Sequence, residues 1–306
     1  MLPMLPMLSR PTMLTKTTAM TRLLLVLTTI VFAAPALAKT TLFEVSDGES
    51  RVLIGGTIHL LHPSEYPLPE AFDAAYEEAD SLYLEADLAA IEAPVFGQQL
   101  MQAMAYPAGK NLKSELSPET WERVKTYSEK NQFPIQQFLG FDPAFVSMIM
   151  TVTKAQSEGI TDGVDEHYYQ KAKAEGKTTG HLESPEDILA YMKAVTGIEA
   201  DAVMEATLVD LERFDELMET MVGAWKRGDM QALDRDLGQP MREEAPEVYQ
   251  TLLVDRNAKW LPKVTQLFEQ EGTELVLVGS LHLAGKDSLL DMLEREGYRI
   301  RPYEVQ

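Results

Sequence analysis

Apolar positions follow two regimes along this chain. Runs that are apolar at nearly every position gather near its two ends, and runs with apolar residues every third or fourth position fill the middle. Residues 41–46 and 51–54 are strand-like and are separated by Asp47-Gly48, a turn signal, so they predict a hairpin. A helical stretch from about Pro69 leads into a strand over 81–85, a less apolar strand is expected over 177–183, and the last strands over 274–278 and 298–305. Continuous rather than alternating hydrophobicity points to strands covered on both faces.

The helices of the middle region carry their own start signals. Ser117-Pro118-Glu119 and Ser184-Pro185-Glu186 each place a capping serine before a proline at the first helical position. Over 200–225, Leu211, Phe214, Met218, Met221 and Trp225 recur at spacings of three and four, which predicts one amphipathic helix whose methionines and aromatics are packing residues. Gly228-Asp229 breaks the pattern, which resumes over 248–271. The expected fold class is α/β. N- and C-terminal strands come together in one central sheet flanked by helices, with a mostly helical middle inserted between them. No linker rich in Pro, Gly or Ser divides it, so 39–306 reads as a single domain.

Residues 1–38 differ from the rest. They hold Arg10, Lys16 and Arg22 with no acidic residue, then an apolar run from Leu23, then Ala36-Leu37-Ala38. That order predicts a signal peptide cleaved before Lys39, with Met20 as an alternative start. Pro35 interrupts the run short of the roughly 20 apolar residues a spanning helix needs, so no stable membrane anchor is expected after cleavage. The expected location is therefore exported, periplasmic or secreted. Losing three of 27 basic residues and none of the 48 acidic ones leaves a formal charge of −24. Such a surface repels phosphate backbones and anionic headgroups, which argues against nucleic acid as a partner. There is no cysteine, hence no disulfide, zinc–thiolate site or cysteine nucleophile.

One internal match carries chemistry. Gly56-Thr57-Ile58-His59-Leu60 and Gly279-Ser280-Leu281-His282-Leu283 share one plan: apolar strand, glycine, hydroxyl residue, aliphatic, histidine, leucine. A buried strand delivers its end to the carboxyl edge of an open α/β sheet, where ligands bind, and glycine there permits close backbone approach. A lone Gly-x-x-His is better explained by a histidine that caps a strand and meets a backbone carbonyl. Two matched copies on matched strands make that the poorer account. Glu85, ending the apolar run Leu82-Tyr83-Leu84, needs a cation, a proton donor or water as its partner. Glu183 raises the same question, although Ser184-Pro185 after it reads more simply as a helix start. Arg256-Asn257 falls on an expected helix. His62 lies three residues past His59 in a loop, and His167 and His181 read as surface or structural residues.

In order along the chain, Gly56-Thr57-Ile58-His59, the Glu85 strand, Lys177 through Ser184, Asp255-Arg256-Asn257-Ala258-Lys259-Trp260 and Gly279-Ser280-Leu281-His282 with Gly285 resemble the TraB/GumN/Tiki family, within the wider group that includes erythromycin esterases and ChaN-like proteins. The resemblance implies a central mixed sheet with both Gly-x-x-His motifs in one site, and a divalent-metal-dependent hydrolase, of the peptidase kind, acting on a peptide or small exported substrate. His59, Glu85 and His282 would hold the ion. Imidazole and carboxylate donors without thiolate suit manganese, cobalt, iron or zinc. Arg256 would stabilise an oxyanion and Asn257 would orient substrate. Two alternatives stand beside it: a metal-independent, esterase-like hydrolase using Glu85 or His59 as general base, and a non-catalytic protein holding a peptide or haem-like ligand in the same cleft.

Overall fold

The structure, a computed structural model, describes residues 40–305; the expected signal peptide lies outside the described residues. The hairpin forms as expected. β1 (Leu42–Ser46) pairs antiparallel with β2 (Arg51–Thr57), and the Asp47 carboxylate closes the turn by accepting the Glu49 and Ser50 N–H groups. After β2 come the two-residue β3 (Leu60–Leu61), β4 (Ser81–Ala86), the short β5 (Thr161–Asp162), β6 (Thr178–Glu183), β7 (Glu274–Gly279) and β8 (Arg299–Pro302). Six of them make one mixed sheet in the order β6-β4-β7-β2-β1-β8. The last strand is shorter than its apolar pattern suggests.

The register decides where the chemistry sits. β2, β7, β4 and β6 run parallel, with Thr57 opposite Gly279, Leu84 opposite Leu277, and Ala86 opposite Glu183. Four neighbouring strands therefore end level at one sheet edge, although their sequences come from both ends and the middle of the chain. Every residue of β7 is buried, which accounts for its unbroken apolar run. Leu275 and Leu277 face a core with Phe72, Tyr76, Tyr168 and Trp225, while Val276 and Val278 face one with Trp260, Val264 and Leu289. The helical middle has a separate core around Trp121, Val124, Val146, Met150 and Met204.

Two helical expectations need correction. The single helix expected over 200–225 is two, Ala200–Glu212 and Phe214–Lys226, parted at Arg213. Spacing hid the break because apolar residues keep their period across it while their partners change. Leu211 packs into the helical core of the middle region, and Phe214 into a small cluster with Ala155 and Ile160. Helix also resumes soon after Gly228, at Met230–Leu233, and continues through a π-helical turn, Asp234–Gly238, to Glu244. After a break at Ala245 it restarts at Pro246 and passes through a second π-helical turn, Gln250–Val254, into the helix Asp255–Leu267. Among the described residues no helix is long and apolar enough to cross a membrane.

Candidate active site at the parallel strand ends

His59 leaves β2 two residues beyond its end. Its Nδ1 lies 2.8 Å from Asp165 Oδ2, and the other oxygen of that buried carboxylate accepts the Thr57 hydroxyl at 2.7 Å. Asp165 sits in the first turn of the helix Val164–Glu175, which meets the His59 segment because Gly163 precedes it. A Cβ on Gly163 would lie 2.0 Å from the Ile58 carbonyl oxygen, so only glycine allows this approach. Attraction to Asp165 is the largest influence on His59. Together with Glu85 it outweighs desolvation and Arg256, and pushes the ring's pKa up to about 10. The side chain is nonetheless 58% exposed, and solvent screening works against that shift. In an Asp165→Asn variant, the His59 pKa is expected to fall towards the usual imidazole value, read from its ring proton resonances across pH. An unchanged titration would show that Asp165 does not hold the ring.

His282 is the buried counterpart. It lies in the 3-10 turn Ser280–Leu283, 4% exposed, with its ring against Trp260 at 4.2 Å between centroids. Its Nδ1 is 2.7 Å from Asn257 Oδ1, while the Asn257 amide nitrogen donates to the carbonyl oxygens of His282 and Asp287. With that nitrogen committed as donor, the Asn257 oxygen must accept, which assigns the ring proton to Nδ1 and the lone pair to Nε2. Burial first, and Arg256 after it, bring the pKa down to about 3 despite Glu85, so the ring is neutral.

Between the two imidazoles lies Glu85. Its Oε1 accepts the Gly279 N–H at 2.5 Å and stands 3.9 Å from His59 Nε2 and 3.7 Å from His282 Nε2. A Cβ on Gly279 would come within 3.1 Å of His59 Nε2 and 3.2 Å of Glu85 Oε1, so the glycine of the second motif leaves room for the residues of the first. The other oxygen of Glu85 accepts from Arg256 Nη2 at 2.6 Å.

Arg256 also grips Glu183 in bidentate fashion, Nε to Oε1 at 2.7 Å and Nη2 to Oε2 at 2.9 Å, and turns Nη1 to the Leu252 carbonyl and His282 Nε2. All five guanidinium donors are thereby engaged. Trp260 donates to Glu183 at 2.7 Å. Burial would raise the Glu85 pKa, but Arg256, the two histidines and the Gly279 N–H together hold it well below the usual carboxylate range. Glu183, 1% exposed, is raised instead, since burial and the neighbouring Glu85 outweigh what Arg256 returns.

The structure thus brings His59, Glu85, Arg256, Asn257 and His282 to one place, and adds two residues that the sequence reading missed or discounted. Glu183 is no mere helix start, and Asp165, which the sequence did not single out, holds His59. A clue to both lay in their positions: a carboxylate ending a strand, and one two residues after Gly163. Arg256 and Asn257 are both already engaged. Asn257 is buried, with its amide nitrogen on the His282 and Asp287 carbonyls and its oxygen on the imidazole, and all Arg256 donors have partners in this arrangement. His62 is exposed and caps a short turn through Ser64; His167 and His181 are exposed as well.

In kind, the His59, Glu85 and His282 donors suit a divalent cation, and each imidazole is held through Nδ1 by a side-chain oxygen, as metal-binding histidines are. Spacing is the discrepancy. Bonds of about 2.0–2.2 Å place tetrahedral ligand atoms roughly 3.4 Å apart, a few tenths of an ångström closer than these. Among the described residues, no group of three or more His, Asp or Glu stands close enough to hold an ion as arranged. Binding would require the donors to draw together and Arg256 Nη1 to leave His282 Nε2.

The TraB/PrgY/gumN family matches residues 41–302. The chain belongs to this family. Among its relatives are the uncharacterized protein YbaP of Escherichia coli (strain K12), 25% identical over 240 residues, covering 78% of this chain and 86% of YbaP. Another is metalloprotease TIKI1 of Danio rerio, 23% identical over 297 residues, covering 80% of this chain and 59% of TIKI1. No solved structure matches. The matched span contains both Gly-x-x-His motifs together with Glu85, Asp165, Glu183 and Arg256.

Proposed function

We propose that this family member is an exported hydrolase of peptide bonds, with its reacting water held between His59 and Glu85. One observation carries the reading: two imidazoles, each fixed through Nδ1, turn Nε2 towards a single carboxylate oxygen at the end of parallel strands. Support for the reaction class comes from the distant relative named as a metalloprotease. Asp165 orients His59, Asn257 orients His282, and Arg256 keeps Glu85 ionised and aimed at the site. Where no metal is bound, His59, with its outer edge open, can hand a proton to the leaving group through Nε2.

Two forms of water activation have separate support. In the first, favoured by the donor types and by the TIKI1 name, His59, Glu85 and His282 hold a divalent cation. Such an ion lowers the pKa of its bound water from about 15.7 towards ~7. In the second, favoured by the Arg256 N–H on His282 Nε2 and by the Asp165–His59 pair, the protein's own groups move the proton. Elemental analysis of the purified mature protein, beside a His59→Ala/His282→Ala double variant, separates them when combined with peptide hydrolysis before and after dialysis against a chelator. Metal in the parent alone, with activity lost on chelation and restored by manganese, cobalt, iron or zinc, establishes the first form. Activity indifferent to chelation establishes the second. A parent that cuts no peptide in a broad panel, with or without added metal, sinks the hydrolase reading.

A further inference from the structure

Two cavities meet at the reacting groups, and His59, Leu252 and Arg256 belong to the walls of both. One, of about 480 Å³, is lined on its polar side by Glu85, Asp162, Asp165, Glu166 and Glu183. The other, of about 410 Å³, has walls that include Phe214, Met218, Met221, Leu237, Met241 and Leu253. In a chain with 48 acidic residues, no described carboxylate lines this second cavity; its ionisable side chains are His59, His282 and Arg256, with the hydroxyl residues Thr57, Thr151 and Ser280 also in its wall. The stripe read from sequence as packing thus divides. Trp225 is buried in the core, while Met218 and Met221 face open space beside the catalytic histidines.

The local fold builds this wall deliberately. Leu237 and Leu253 sit in the two π-helical turns, where the extra residue per turn redirects side chains and which recur at functional sites. Arg242 clamps Asp234, and the Tyr249 hydroxyl donates to Asp287 at 3.1 Å. Asp287 also receives the Asn257 amide on its backbone oxygen, so the wall is tied to the residue that orients His282.

We infer that the Met-lined cavity receives a bulky apolar side chain of a peptide substrate, adjacent to the bond that is cut; the inference rests on the hydrolase reading above. Methionine side chains adapt to apolar groups of differing shape, and the volume lies within the roughly 300–1,000 Å³ of ligand sites. A peptide is favoured over a simple acyl ester because the reacting groups stand at a junction. The substrate continues into the other, carboxylate-lined cavity, and an extended backbone does so on both sides of its scissile bond.

The test compares two N-acetylated hexapeptide amides that differ only in Phe or Ala at one central position, with p-nitrophenyl octanoate as the acyl probe. The parent is expected to favour the Phe peptide in kcat/KM on the order of 10- to 200-fold. Met218→Trp and Met241→Trp each fill the cavity, and the Phe-to-Ala ratio is expected to drop by about tenfold or more. Because the ratio is taken on one preparation, any loss of folded protein cancels. A parent ratio near unity, or a ratio unmoved in both variants, overturns the assignment. So does octanoate turnover that exceeds that of the Phe peptide and responds to the same substitutions, which makes an acyl chain the occupant. If the parent cuts neither these two peptides nor any of the broad panel above, with or without added metal, the hydrolase reading fails by itself, and calorimetric titration with the Phe peptide judges the cavity. Binding weakened by Met241→Trp supports it, and no binding rejects it.

Discussion

Arg256→Ala is expected to lower folding stability by about 3–5 kcal/mol, because it leaves buried carboxylates without their cation. Glu85 and Glu183 are 8% and 1% exposed and both rely on the one guanidinium. The pH dependence has a definite sign. In the parent, the folded-state pKa of Glu85 lies below the ordinary 4.5, so its contribution is complete above that value and is lost as pH falls below it. The raised pKa of Glu183 works in the opposite direction and offsets part of this. Without Arg256, burial dominates at both carboxylates. The folded state then binds protons more readily than the unfolded chain, and stability increases as pH is lowered from about 7 to about 5. Urea unfolding midpoints across that range check the claim. A variant as stable as the parent, with the same pH profile, would show that the guanidinium is dispensable to the cluster. Arg256→Lys should recover only part of the loss, since an ammonium cannot reproduce the fork to Glu183.

Glu85→Gln is expected to lower hydrolysis by about 10²–10⁴-fold with little change in side-chain shape. The amide removes the charge that faces both imidazoles and places a donor where Arg256 Nη2 and the Gly279 N–H already donate. A stability loss of about 1–3 kcal/mol should accompany it, so rates belong well below the unfolding transition, with far-UV circular dichroism to verify the fold. If the variant turns over within about tenfold of the parent under those conditions, Glu85 is structural and water activation lies elsewhere.

The two variants separate roles that are hard to distinguish by inspection. Arg256 touches both Glu85 and Glu183, and its loss registers chiefly as stability. Glu85 touches the same cation but also faces both Nε2 atoms, and its loss registers chiefly as rate. An arrangement that merely neutralised charge would need one carboxylate per guanidinium. The second, placed between two oriented imidazoles, is the feature that asks for a chemical explanation.

Much of this was legible in the chain. The β1–β2 hairpin followed from Asp47-Gly48 between apolar runs, the buried β7 from the mostly apolar run over 274–278, and the helix starts from Ser117-Pro118 and Ser184-Pro185. Matched Gly-x-x-His units identified His59 and His282 because local constraints, a strand end and a glycine, repeat in both. Periodicity reports which positions are buried and says nothing of what buries them. For that reason the break at Arg213 and the open side of Met218 and Met221 escaped it.

What the sequence by itself determined was the set of elements and the short-range placement of each histidine and of Glu85. Tertiary structure alone decided their alignment. Parallel register between β2, β7, β4 and β6 brings residues more than 200 positions apart to one edge, and no local pattern encodes that pairing. It also decided protonation. His59 and His282 have matching neighbours in sequence, yet one is exposed beside Asp165 and the other buried beside Arg256. Their pKa values move in opposite directions because the surrounding charge and solvent, not the motif, set the energy of the proton.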